Sequence, residues 1–213
     1  MAGRVGIIWD SPALLMRLVE DCGYNVEQVT PHLLAAPFFR REYMGVIIPG
    51  GFANPAYSSV LPALRACGDR LRRFINGGGT VLVFGAGIDR GDAYDWLSIP
   101  VRYRYGFDTG IAEGDTSHYP GCIAEECPGT VTIDGTLQID LLVKGQRDHD
   151  TDDESGLQTG TNRGAVVHLR VNGEPILITY SYGRGRILVT TLHEYPSRRF
   201  LADFCVIEGE TLL

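Results

Sequence analysis

The sequence predicts an α/β protein, a three-layer sandwich around a mostly parallel sheet with an inserted antiparallel β segment. Three observations carry this. Short apolar runs such as Val46-Ile47-Ile48 alternate with amphipathic helical stretches, as strands buried on both faces of a parallel sheet do. Glycine-rich junctions, Gly50-Gly51 and Gly77-Gly78-Gly79 among them, separate the two kinds of segment. From about residue 100 to 186 the pattern changes to alternating β-type runs with short turn signals. The 213 residues suffice for one domain over 1–213, with a β-rich elaboration at about 100–186.

In chain order, residues 5–9 form the first strand. Residues 12–22 form a helix with Leu14, Leu15, Leu18 and Val19 on its apolar face. Residues 25–29 are a second strand, and 31–36 a short helix or turn closed by Pro37. Residues 45–49 are a third strand. Residues 56–76 then read as one long amphipathic helix. Leu61, Leu64, Leu71, Phe74 and Ile75 face inward, Arg65, Arg70, Arg72 and Arg73 face outward, and Gly77 ends it. Residues 81–84 are the fourth strand. It breaks into Gly85-Ala86-Gly87, small residues of the kind that a sharp strand-to-helix turn requires.

Beyond residue 100, segments 130–133, 137–143, 165–171 and 175–182 read as strands. Turns are expected at Asp134-Gly135, Asn172-Gly173 and residues 182–185, with Asn172-Gly173 a strong two-residue hairpin signal. Residues 187–192 are the last core strand and 197–205 a closing helix. The acidic stretch 148–154 lacks the Gly and terminal Glu of a calcium loop and reads as a solvated loop.

A net charge of −7 argues against nucleic acid as a partner. No apolar run approaches a membrane span, and the N-terminal apolar run is too short for a signal-peptide core, so a cytoplasmic protein with no membrane partner is expected. Five cysteines, an odd number without an export signal, read as free thiols. His118, Cys122 and Cys127 lie close together, but the cysteine spacing is long for zinc and no second pair exists, so a loop with two thiols is the expectation and no metal is assigned. No cofactor is expected.

Ligand sites of parallel sheets sit at the carboxyl ends of the strands. Three strand ends therefore converge: Gly50-Gly51, offering a main-chain oxyanion donor; Gly85-Ala86, at the turn where a nucleophile would stand; and His193, with Glu194 beside it, as general base. Asp10 ends the first strand at the same edge, although Asp10-Ser11-Pro12 also suits a helix cap. A helix starting near residues 87–89 would present free N–H groups, with Arg90 adding charge, and so favour an anionic ligand. Asp89 could instead cap that helix.

Three segments carry a family resemblance: Gly-Val-Ile-Ile-Pro-Gly-Gly-Phe at 45–52, Phe-Ile-Asn-Gly-Gly-Gly-Thr-Val-Leu-Val-Phe-Gly-Ala-Gly at 74–87, and Tyr-Gly-Arg-Gly-Arg-Ile-Leu-Val-Thr-Thr-Leu-His-Glu at 182–194. With these, the chain resembles the class I glutamine amidotransferase-like superfamily, whose sheet is flavodoxin-like. It looks closest to the group named after the N-terminal domain of eukaryotic biotin-protein ligase, with some trehalose-utilisation-like features. Tyr-Gly-Phe-Asp-Thr-Gly-Ile-Ala at 105–112 is similar to a stretch of the former group. The resemblance puts the oxyanion glycine at Gly51, the histidine at His193 and the nucleophilic cysteine at Gly85. The acid expected two residues after the histidine falls on Tyr195, with Glu194 adjacent.

Without a thiol at Gly85 a cysteine triad has no nucleophile. Two functions are therefore expected as alternatives. One is a catalytically degenerate domain that binds a small ligand or a protein partner, such as a synthetase or ligase, as a homodimer. The other is a hydrolase or transferase using His193 in the same cleft, with Asp10, Asp89 or Glu194 assisting.

Overall fold

The computed structural model describes residues 3–97, 99–127, 129–139, 164–205 and 211–213. Its strands in chain order are β1 (Arg4–Ile8), β2 (Asn25–Val29), β3 (Glu42–Tyr43), β4 (Gly45–Ile48), β5 (Thr80–Val83), β6 (Val101–Gly110), β7 (Glu113–Gly114), β8 (Val131–Ile139), β9 (Val166–Val171), β10 (Glu174–Tyr182), β11 (Gly185–Thr190) and β12 (Thr211–Leu212). The helices are α1 (Leu14–Asp21), α2 (Pro31–Ala35), α3 (Val60–Ala66), α4 (Gly68–Asn76) and α5 (Arg198–Phe204).

The main sheet has the order β2-β1-β4-β5-β11-β10-β9-β7. Its first five strands are parallel neighbours, and the last three continue antiparallel. The register Ile48↔Val83 and Val189↔Val83 brings the strand ends level, so the segments after β4, β5 and β11 emerge along one edge. Alternation then divides the apolar side chains. Val46, Ile48, Val81, Val83, Ile187 and Val189 belong to one buried cluster, which includes Leu64, Leu71 and Phe74 of α3 and α4. Ile47, Leu82 and Leu188 belong to another, with Leu15 and Val19 of α1 and Phe200 and Phe204 of α5. Burying each such side chain is worth about 1.5–3 kcal/mol, and both faces of the central strands gain it.

Several sequence expectations need correction. The single helix over 56–76 is two helices that meet at Cys67. Its thiol donates to the Leu34 carbonyl at 3.0 Å, and Gly68, a poor helix former, follows. Residues 56–59 precede the first of them outside any helix. Arg70 is not simply part of a solvated face, because its guanidinium binds the Leu34 and Ala36 carbonyls. Leu14 starts α1 exposed, while Leu15 and Val19 are its buried residues.

The largest correction concerns Asp134-Gly135. These residues do not turn the chain: they lie in the middle of β8, a continuous strand paired antiparallel with β6 as a separate two-stranded sheet. Gly135 faces Tyr105 there, and a Cβ on it would meet the Arg104 carbonyl at 2.5 Å and the Tyr103 ring at 2.6 Å. Close backbone approach, not turn geometry, demands this glycine. Asn172-Gly173 does make the expected hairpin between β9 and β10, with positive φ at both residues (52° and 77°). The acidic stretch 148–154 and the end of the segment 137–143 lie outside the described residues. Among the described residues, no helix is long and apolar enough to cross a membrane.

Candidate functional site

A cleft of about 760 Å³ opens at the carboxyl edge of the parallel strands. Gly50 and Gly51 reach it from the end of β4, Phe84 and Gly87 from the end of β5, and Leu192, His193, Glu194 and Tyr195 from the segment after β11. Trp9 contributes from the end of β1. The β6–β8 sheet supplies the opposite wall with Tyr105, Phe107 and Asp134.

The β6–β8 sheet is anchored there by main-chain pairing. Ile133 bridges Leu192, the Asp134 amide donates to the Thr191 carbonyl at 2.9 Å, and the His193 amide donates to the Thr132 carbonyl at 2.9 Å. The Glu194 carboxylate accepts the Thr132 amide at 2.6 Å. Alternation along an antiparallel pair puts Asp134 and His193 on one face as diagonal neighbours. His193 is exposed at the mouth, and its ring meets Phe107 edge-on with centroids 5.5 Å apart.

Asp134 fills the space above Gly85. A Cβ built on Gly85 would land on the Asp134 carboxylate, so the two positions compete for one volume. The Asp134 side chain is only 5% exposed, and its Oδ1 has no hydrogen-bond partner. Its main-chain carbonyl accepts the Tyr103 hydroxyl at 2.7 Å, and the Tyr94 hydroxyl holds the Phe84 carbonyl at 2.9 Å. Burial pushes the Asp134 carboxyl up to about 7, against a smaller opposing effect of the Tyr103 hydroxyl.

The other expected residues fare differently. Gly51 lines the cleft with φ +82°, but its amide donates to the Gly85 carbonyl at 2.8 Å and is not free for an oxyanion. Gly87, at φ +71°, lies so close that a Cβ on it would stand 2.6 Å from the Gly51 Cα. Gly85 is buried under Asp134, and Ala86 is fully buried in the core with its carbonyl accepting the Ala53 amide, so neither lines the cleft.

Asp10 also lies outside the cleft lining. It receives the Ser58 hydroxyl at 2.7 Å and the Ser59 amide and hydroxyl, tying β1 to the start of α3 instead of capping α1. Partial burial would raise its carboxyl, but these hydrogen bonds outweigh that and hold it below the ordinary value.

No α-helix begins near residues 87–89. The chain runs through turns to a short 3₁₀ turn at Asp95–Leu97, and Arg90 pairs with Asp92 at 2.7 Å outside the cleft. Both features that favoured an anionic ligand are therefore missing. His118 contacts Asp115 at 2.8 Å through Nδ1, Cys122 is buried, and among the described residues no group of three metal-ligating side chains gathers.

Asp134 and the aromatic walls were the residues that sequence reasoning missed as site residues. The Asp-Gly pair is a strong turn signal and masked a strand. The usable clue was the β-type run Val131-Thr-Ile-Asp-Gly-Thr-Leu, in which one carboxylate interrupts an otherwise buried pattern.

No protein-family model and no curated protein sequence matches this chain. Its fold is shared with solved structures of low identity. A cytoplasmic protein of Salmonella typhimurium LT2 is similar over 93% of both chains at 13% identity, with a TM-score of 0.51. A β-galactosidase of Rahnella sp. R3 aligns over 96% of this chain and 30% of its own (14% identity, TM-score 0.52). An exo-β-1,4-mannosidase of an Opitutaceae bacterium aligns over 95% and 33% (14%, 0.51). The chain thus spans about a third of the length of these glycosidases, and the likeness concerns fold alone.

Proposed function

We propose that this chain is a catalytically silent, amidotransferase-like domain that binds a small ligand in the cleft above Asp134. The reading takes the chain as one three-layer sandwich domain over 1–213, similar to the biotin-protein ligase N-terminal group, working as a homodimer or beside a synthetase or ligase. One observation carries it: the Asp134 carboxylate occupies the volume into which a side chain at position 85 would project, while the cleft beyond stays open. A site of this shape keeps binding surface and gives up the nucleophile. The direct test is ammonia release from glutamine by the purified chain. None is expected, and a rate that disappears in His193→Ala would refute the reading.

A second reading, a hydrolase or transferase that works through His193, draws on a different observation. Asp134, raised to about 7, shares the cleft with His193 and Glu194, and carboxyls held in unlike environments can divide acid and base roles. Its test is a panel of ester and amide substrates. A bell-shaped pH–rate profile lost in both His193→Ala and Asp134→Asn would favour it over the silent domain.

A further inference from the structure

We infer that the cleft takes a small organic cation, a protonated amine whose ammonium group is received by Asp134 and Glu194 and whose apolar body lies against the aromatic wall. This rests on the ligand-binding reading above and names the chemistry of the ligand. Two acceptor atoms carry it. Asp134 is more than nine-tenths buried, lines the cleft and leaves Oδ1 without a partner. Glu194 uses Oε1 on the Thr132 amide and leaves Oε2 buried without a partner. Buried acceptors of this kind cost free energy until a donor reaches them, and an ammonium brings three donors and a compensating charge.

The surroundings agree in sign. No lysine or arginine is among the described residues that line the cleft, so its charged side chains are Asp134, Glu194 and whatever charge His193 carries. Trp9, Tyr57, Tyr105, Phe107 and Tyr195 supply rings, whose faces attract cations and whose area holds an apolar body. An anion would meet two carboxyl groups and no fixed positive partner. A neutral alcohol could donate to one acceptor without compensating either charge.

The test uses the full chain and three probes of one shape: benzylammonium, benzyl alcohol and benzoate, titrated at pH 8.5 and pH 5.5 with NMR shifts of the His193 and Phe107 rings as the readout. The titratable groups facing Asp134 are Tyr94 from the segment after β5, Tyr103 from β6, and His193 and Glu194 from the segment after β11. Both tyrosines are raised by burial and stay neutral over this range. Benzylammonium is expected to bind at least about tenfold more tightly than benzyl alcohol at pH 8.5, with that preference shrinking at pH 5.5.

Asp134→Asn, an isosteric change whose fold is checked by its melting curve, should lower benzylammonium affinity by about tenfold and leave benzyl alcohol unchanged. Glu194→Gln should act in the same direction. If benzoate or benzyl alcohol binds as tightly as the amine, the cation is wrong and the ligand-binding reading stands. If none of the three shifts the His193 and Phe107 rings, both fall together.

Discussion

The Gly51 amide donates to the Gly85 carbonyl at 2.8 Å, so the main-chain donor best placed to stabilise an oxyanion is already committed within the protein. On the amidotransferase-like reading proposed above, glutaminase chemistry would therefore be blocked twice, by the missing thiol and by this bond. A variant carrying both Gly85→Cys and Asp134→Ala is expected to gain a thiol that an alkylating reagent can label, yet release no ammonia from glutamine. Ammonia production by that variant would show that the Gly51 amide is free enough to serve.

Positions 85 and 134 should be strongly coupled in stability. Gly85→Cys alone drives a side chain into the Asp134 carboxylate and is expected to cost about 1–3 kcal/mol or more, the range for overpacking. In an Asp134→Ala background the same change should cost much less. Urea unfolding of the four proteins in the cycle measures this, and a coupling below about 0.5 kcal/mol would contradict the shared volume.

Stability should also depend on pH through Asp134. Its carboxyl titrates near 7 in the folded protein, against an ordinary value of 3.8. The folded state keeps a proton that the unfolded chain has released, so stability falls as pH rises from about 4 to about 7 and levels off above, by up to about 4 kcal/mol. Asp134→Asn cannot ionise. Its advantage over the parent should grow from near zero at pH 4 to its full value at pH 8, and a constant difference in urea midpoints would argue against a buried, proton-holding Asp134.

Asp10 is expected to matter for stability and not for the cleft. Asp10→Ala removes the acceptor of the Ser58 hydroxyl and of the Ser59 amide and hydroxyl, and should cost about 1–2 kcal/mol, as loss of a helix cap does. Probe binding in the cleft should be unchanged. A large loss of binding at unchanged melting temperature would return Asp10 to the site.

The fold was legible where side-chain periodicity and backbone demand agree. The apolar runs of β4, β5 and β11 announce strands buried on both faces, and Asn172-Gly173 announces a turn whose two positive φ values few other pairs adopt. That His193, Glu194, Gly50 and Gly51 gather along one cleft was legible because strand ends in parallel sheets share an edge. Asp10 and Arg90 were misread because strand-end position says nothing about partners elsewhere in sequence: Asp10 binds Ser58 and Ser59, and Arg90 binds Asp92. Asp134 stayed hidden for the same reason. Its role comes from where the β6–β8 sheet docks, which local sequence does not encode.

The bridge between Ile133 and Leu192 fixes where that sheet docks, and with it the order in which changes at this site are accessible. Main-chain pairing holds β8 over the end of β5 whatever residue stands at 134. A mutational path to a cysteine at 85 must therefore pass through either a collision at that position or an emptied pocket floor at 134. The first intermediate is overpacked and the second leaves a cavity. The docking strand thus locks the two positions together in sequence space: while a carboxylate stands at 134, position 85 has no room for any side chain, and single substitutions can remodel only the rest of the cleft.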